Sequence, residues 1–152
     1  MHPPAKTRKG CHIVAAMPSL RMTIGPDPGQ VAGVSQAFAD FAQAHKVPPA
    51  VRRSVSIALD ELLNNATAYG FPGRGGDVSV EVDLAPDRLS VTLSDSGKPF
   101  NPLEMAEPDT ALSVDERQIG GLGIHLVRRM MDDVAYHRRD ERNVITLTKR
   151  LA

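Results

Sequence analysis

The sequence predicts an α/β protein, a two-layer sandwich in which a mixed, mostly antiparallel sheet carries helices on one face. Three observations predict it. Apolar and polar residues alternate near residues 20–24, 77–84 and 89–93, the period of a half-buried strand. Between and after these stretches, apolar residues recur every three or four positions, as on an amphipathic helix. The stretches at 77–84 and 89–93 are joined by Ala85-Pro86-Asp87-Arg88, so they form an antiparallel hairpin with one buried face, at the centre of the sheet.

In chain order, Leu20, Met22 and Ile24 alternate with Arg21 and Thr23, and Gly25-Pro26-Asp27-Pro28-Gly29 stops this first strand. Val31, Val34, Phe38 and Phe41 mark a helix over about residues 29–45, ended by Val47-Pro48-Pro49. A second helix starts near Pro49, which the first turn tolerates, and carries Val51, Val55, Ala58, Leu59, Leu62, Leu63 and Ala66. Tyr69-Gly70-Phe71-Pro72-Gly73 stops it. After the hairpin, residues 96–118 lose all periodicity, and loops this long inside a compact domain usually bind something or act as lids. Gly120-Gly121-Leu122-Gly123 then opens a third helix with Ile124, Val127, Met130 and Met131 as its stripe. Two short strands, about residues 134–138 and 144–151, close the chain around the turn Asp140-Glu141-Arg142-Asn143.

Composition narrows the function classes. A chain of 152 residues fits one domain, expected at residues 19–152 behind a loose extension at 1–18. With 4% aromatic residues and no Trp, the core must rest on Val, Leu, Ile, Ala and Met. Eighteen basic residues balance eighteen acidic ones, so no global field draws the chain to nucleic acid or to an anionic membrane. Cys11 is the only cysteine, which excludes an internal disulfide and fits a reducing compartment. No apolar stretch approaches the roughly 20 residues that span a bilayer, and a cytoplasmic location is expected.

The chemistry starts at Glu61 and Asn65, a carboxylate and a carboxamide four residues apart on one helix face. Their segment, Ala58-Leu59-Asp60-Glu61-Leu62-Leu63-Asn64-Asn65-Ala66, is otherwise largely apolar. An unpaired polar group buried there costs about 1–3 kcal/mol, so a polar partner such as a magnesium ion or a phosphate is expected. Asn64 points about 100° away around the helix. Asp95-Ser96-Gly97 at a strand end is by itself a common turn. Gly121-Leu122-Gly123 at a helix start is likewise ordinary turn chemistry, yet its unblocked backbone N–H groups also make an anion site. Arg128, Arg129, Arg138, Arg139 and Arg142 are read as solvated charge, and His125 as a surface or packing residue.

In order, the motifs ELLNNA, DSGKPF and GGLGIHLVRRMMD make the sequence resemble the Bergerat-fold (GHKL) ATPases, and within them the anti-sigma-factor serine kinases of bacterial partner-switching systems. The resemblance runs from about residue 20 to 151. It implies ATP and Mg2+ as cofactors, with Asn65 as the magnesium ligand and Glu61 as general base toward a serine hydroxyl. It implies that Asp95 accepts a hydrogen bond from the adenine amino group, that Gly97 lets the backbone lie close to the base, and that Gly121 and Gly123 present N–H groups to the phosphates. The implied partners are a STAS-domain anti-anti-sigma factor as phosphorylation substrate and a sigma factor or equivalent target, with a homodimer formed through the first strand. The alternative is a non-catalytic, ATP-gated protein-binding module of the same fold. The chain departs from the family's pattern in two places. Tyr69 stands before Gly70 where relatives often carry His, and Lys98-Pro99 follow Gly97 where a glycine-rich stretch is usual, giving a stiffer lid. Arg117, just before the glycines, is read as a solvated loop charge, with reach to the phosphates as the alternative.

Overall fold

The computed structural model describes residues 17–104 and 121–152. Residues 1–16 of the expected extension, with Cys11, and residues 105–118 of the expected lid, with Arg117, lie outside the described residues. Five strands form one sheet in the order β1-β2-β3-β5-β4, where β1 is Ser19–Ile24, β2 Val78–Leu84, β3 Arg88–Asp95, β4 Asp133–Arg139 and β5 Arg142–Arg150. The sheet expected to be mixed is antiparallel in every pairing. The hairpin of β2 and β3 does supply its middle.

Three α-helices lie against this sheet: α1 (Val31–Ala44), α2 (Pro49–Tyr69) and α3 (Gly121–Met130). The expected start of α1 at residue 29 is instead a 3-10 turn, Pro28–Gln30, because the Asp27 carboxylate accepts the Gly29 N–H at 2.8 Å and caps that turn. The end of α1 follows from backbone bonding. Lys46 takes a φ of 57°, and the N–H groups of Lys46 and Val47 bond to the carbonyls of Gln43 and Ala42 at 3.2 and 2.9 Å. Pro49 opens α2 at a position where a missing N–H costs nothing.

Side-chain alternation explains why one face is covered. Val78, Val80 and Val82 of β2, Leu89, Val91 and Leu93 of β3, and Ile145 and Leu147 of β5 are all buried. The stripes Val34, Phe38 and Phe41 of α1, Val55, Leu59 and Leu63 of α2, and Ile124 and Val127 of α3 complete the same core. Each fully buried side chain of this size contributes about 1.5–3 kcal/mol. The other sheet face carries Ser79, Glu81, Ser90, Thr92, Thr146 and Thr148, all part-exposed.

The turn between β4 and β5 is shorter than the sequence pattern suggests. Arg139 pairs with Arg142, and only Asp140 and Glu141 lie between them, both in the left-handed region at φ 53° and 62°. Arg142 and Asn143 therefore belong to β5, not to the turn.

Candidate functional site

Strand register builds one wall of a pocket. Across the sheet, Val78 pairs with Asp95, Asp95 with Asn143, and Asn143 with Arg138. Residues directly opposite one another share a face, so the apolar helix-facing side ends in a polar row of Asp95, Asn143 and Arg138. Above this end lie Leu62, Asn65 and Ala66 of α2, and Phe100 and Pro102 close the gap. The cavity between them measures about 20 Å³, room for one water. A flat organic ring enters only when Phe100 and Pro102 move aside.

The helix wall brings Asn65 into this cavity together with Asp95. Asn65 is 9% exposed, and its Nδ2 has no hydrogen-bond partner among the described residues. Left so, the amide costs about 1–3 kcal/mol, which a bound acceptor or anion, or a cation after an amide flip, would offset. Glu61 does not line the cavity. It sits one turn earlier, half-buried, with its carboxylate against Gly123, where an added Cβ would collide with it. The missing side chain of Gly123 thus lets the Glu61 carboxylate rest against the start of α3. Gly121 begins α3, so the backbone N–H groups of its first turn have no intrahelical acceptor. Asn64 is exposed and faces a separate groove with Ser35 and Asp60, whose side chains are hydrogen-bonded to each other.

Asp95 and the chain that follows it are tied down by side chains that sequence patterning had assigned to solvent or to a turn. Asp95 Oδ1 accepts from Gly97 N and from Asn143 Nδ2, both at 2.9 Å. Asn143 is 4% exposed. Its Nδ2 also donates to Lys98 O at 2.8 Å, and its Oδ1 accepts from Phe100 N at 3.1 Å, Tyr136 OH at 2.6 Å and Arg138 Nη1 at 3.2 Å. Arg138 Nη1 also donates to Gly97 O at 3.0 Å, and Arg128 donates to Leu103 O. Gly97 is required here: a Cβ would stand 2.7 Å from Gly70 O and 2.9 Å from Asp95 Oδ1. The segment therefore rests on α2 as well, through Lys98 N to Gly70 O at 2.9 Å. The burial of Asn143 follows from strand pairing: opposite Asp95, it falls on the same inward face.

Arg142, the next residue, braces the outer side. Its Nη1 and Nη2 donate to both carboxylate oxygens of Asp77 at 3.0 and 2.7 Å, and its Nε donates to Ser94 Oγ at 2.6 Å. The Arg142 guanidinium bonded to Asp77 holds that carboxyl below its ordinary value. Asp77 in turn raises Arg142. Elsewhere, Tyr69 is 42% exposed at the end of α2, and Met131 enters the core while Met130 stays half-exposed. His125 is half-buried with an Nε2 that has no partner among the described residues. Also among the described residues, no group of three His, Cys, Asp or Glu side chains converges, and no helix is long and apolar enough to cross a membrane.

Comparison with known proteins bears on this geometry. Residues 24–149 match the family described as a histidine kinase-like ATPase domain. The serine/threonine-protein kinase BtrW of Bordetella bronchiseptica is 32% identical over 103 residues, 67% of this chain and 72% of that protein. The serine-protein kinase RsbW of Listeria monocytogenes is 32% identical over 100 residues, 62% of this chain and 63% of its own length. A solved structure of the RsbU and RsbW domains of Rv1364c from Mycobacterium tuberculosis superposes with a TM-score of 0.66 at 16% identity, over 90% of this chain and 33% of that one. The histidine kinase domain of the blue-light activated kinase EL346 from Erythrobacter litoralis gives 0.53 at 15% identity, over 82% of this chain and 60% of that one. At such identities the two solved structures speak for a shared fold alone.

Proposed function

The chain belongs to the histidine kinase-like ATPase family, among its serine-protein kinases, and we propose from that premise that it is an anti-sigma-type regulator with a defined substrate. It binds a sigma factor or equivalent target, and it uses ATP to phosphorylate a STAS-domain antagonist on serine. The observation that carries this reading is the buried amide of Asn65, unpartnered and facing the same cavity as Asp95.

The residues divide the work. Asp95 and Gly97 hold the adenine, and the backbone of Gly121 and Gly123 meets the phosphates at the start of α3. Asn65 would hold Mg2+ through its amide oxygen, and the ion would supply neutralisation of phosphate charge. Glu61 accepts the proton of the incoming serine hydroxyl. The serine oxygen bonds to the γ-phosphorus as the bond from that phosphorus to the bridging oxygen breaks, and ADP leaves. Positioning and charge neutralisation are what such a transfer chiefly requires. We place the protein in the cytoplasm, where these partners would meet it. We also place a homodimer at β1, which pairs only with β2 among the described strands and would offer its other edge to a second copy.

The test is transfer of labelled phosphate from Mg-ATP to the cognate STAS-domain protein. Glu61→Ala is expected to slow transfer about 10²–10⁴-fold, with ATP affinity held within about threefold. Unchanged transfer would remove Glu61 from the role of base. Nucleotide-dependent partner binding with no phosphorylated product would instead support the non-catalytic module.

A further inference from the structure

We propose that Asn143 is the residue that sets base specificity at this site, by fixing the direction of the Asp95 carboxylate. The inference rests on the reading of the cavity as an adenine-nucleotide site, and it concerns a residue outside the three motifs.

Asn143 cannot be reversed in its pocket. Three donors surround its Oδ1, from Phe100, Tyr136 and Arg138, and two acceptors face its Nδ2, from Asp95 and Lys98. A flipped amide would set donor against donor at Phe100 N and Arg138 Nη1 and acceptor against acceptor at Asp95 and Lys98, and only the Tyr136 hydroxyl could adapt. The side chain is therefore a fixed donor aimed at Asp95 Oδ1.

That donor matters because the last torsion of an aspartate is broad, with little intrinsic preference to hold the carboxylate plane. Here Gly97 N and Asn143 Nδ2 together pin Oδ1 from two sides. Oδ2 takes no donor from any described residue, and Asp95 lines the cavity. The pinned carboxylate presents one free acceptor to whatever base enters. An acceptor held in place rewards an exocyclic amino group and repels an exocyclic carbonyl oxygen, so the discrimination depends on the carboxylate being held still. Asn143 also ties Lys98 and Phe100, whose neighbours close the cavity. The same amide thus sets both the acceptor and the wall opposite it.

The experiment compares Mg-ATP with the triphosphate of purine riboside, which lacks only the 6-amino group, by calorimetric titration of the full 152-residue chain. The wild-type chain is expected to favour ATP by about ten- to a hundredfold, the range of one hydrogen bond to a charged group. Asn143→Ala should shrink that gap to within about threefold while binding of the shared sugar and phosphates persists. Asn143→Asp keeps size and the acceptor side, replaces the donor and adds a negative charge beside Asp95, so it should also close the gap. Tyr136→Phe removes one donor to Oδ1 and leaves Nδ2 in place, so it should keep the gap.

A wild-type chain that binds neither nucleotide overturns the reading of the cavity, and this inference with it. A wild-type preference for ATP that survives in Asn143→Asp overturns this inference alone, as does a Tyr136→Phe gap that collapses like that of the alanine variant. If neither Asn143 variant folds, as judged by circular dichroism, the residue is structural and the proposal falls.

Discussion

On the helix wall of the pocket Asn65 is 9% exposed and its Nδ2 meets no partner, whereas on the sheet wall Asn143 is 4% exposed and its two polar atoms enter five hydrogen bonds. The residue type and the burial are the same, and the bonding is opposite. One amide is committed to the fold, and the other is held in reserve at a cost that the core around it sustains. Buried polar groups left open in a native structure call for a functional account. The difference separates what this pocket is built from and what it is built for.

The largest effect that would break this contrast comes from giving both asparagines the same substitution. Asn143→Leu leaves the Asp95 carboxylate, the Phe100 N–H, the Lys98 carbonyl and the Tyr136 hydroxyl short of partners, and should cost about 3 kcal/mol of stability. Asn65→Leu removes an unpaired amide from an apolar setting and should leave stability unchanged or raise it by about 1 kcal/mol. Urea unfolding of the two variants measures this, and equal losses would erase the distinction.

A smaller effect tests whether the sheet wall depends on its outer brace. Asp77 is held below its ordinary value of 3.8 by the Arg142 guanidinium bonded to it. A carboxyl depressed in the folded state contributes stability that is present above the unfolded value and is lost as pH falls through the folded one. The wild-type chain should therefore lose stability below about pH 4, and Arg142→Ala should flatten that acid limb. At neutral pH the same substitution should cost about 1–2 kcal/mol, more than an ordinary exposed pair, because the guanidinium also bonds Ser94. Urea midpoints followed from about pH 7 to about pH 2.5 decide it.

The smallest effect concerns the turn that delivers Asn143 to its place. Glu141 at φ 62° holds a conformation that costs a side chain about 1 kcal/mol relative to glycine. Glu141→Gly should raise stability by about 0.5–1 kcal/mol with the Asp95–Asn143 contact intact. A thermal scan reads the gain, and a loss would mean that the Glu141 side chain makes an interaction of its own.

Much of the fold could be read from the chain because periodicity is a direct consequence of burial. The strands of Val78–Leu84 and Arg88–Asp95 and the stripe of Pro49–Tyr69 fall where alternation and helical spacing place them. Asn65 could be read for the same reason, as a polar residue on an apolar face. Asn143 could not, because its burial is decided by long-range pairing with β3 and by how few residues the β4–β5 turn consumes. Asp and Glu in the left-handed region leave no glycine to mark that turn. Arg128, Arg138 and Arg142 were hidden for a related reason: each donates to a backbone carbonyl or a carboxylate far away in sequence, and composition cannot distinguish such an arginine from a solvated one.

The two residues of that turn also act as a counter. Side chains on a strand change face at every step, so a one-residue slip of register at this turn changes which side chain β5 turns toward the cavity. One residue inserted or deleted between Arg139 and Asn143, with the two-residue turn kept, would bring Arg142 or Val144 to the position beside Asp95. Insertions elsewhere on the surface of such a domain are cheap. Here a single-codon change far from every motif would rewrite the chemistry of the pocket floor, which makes the length of this hairpin as much a part of the site as any residue in it.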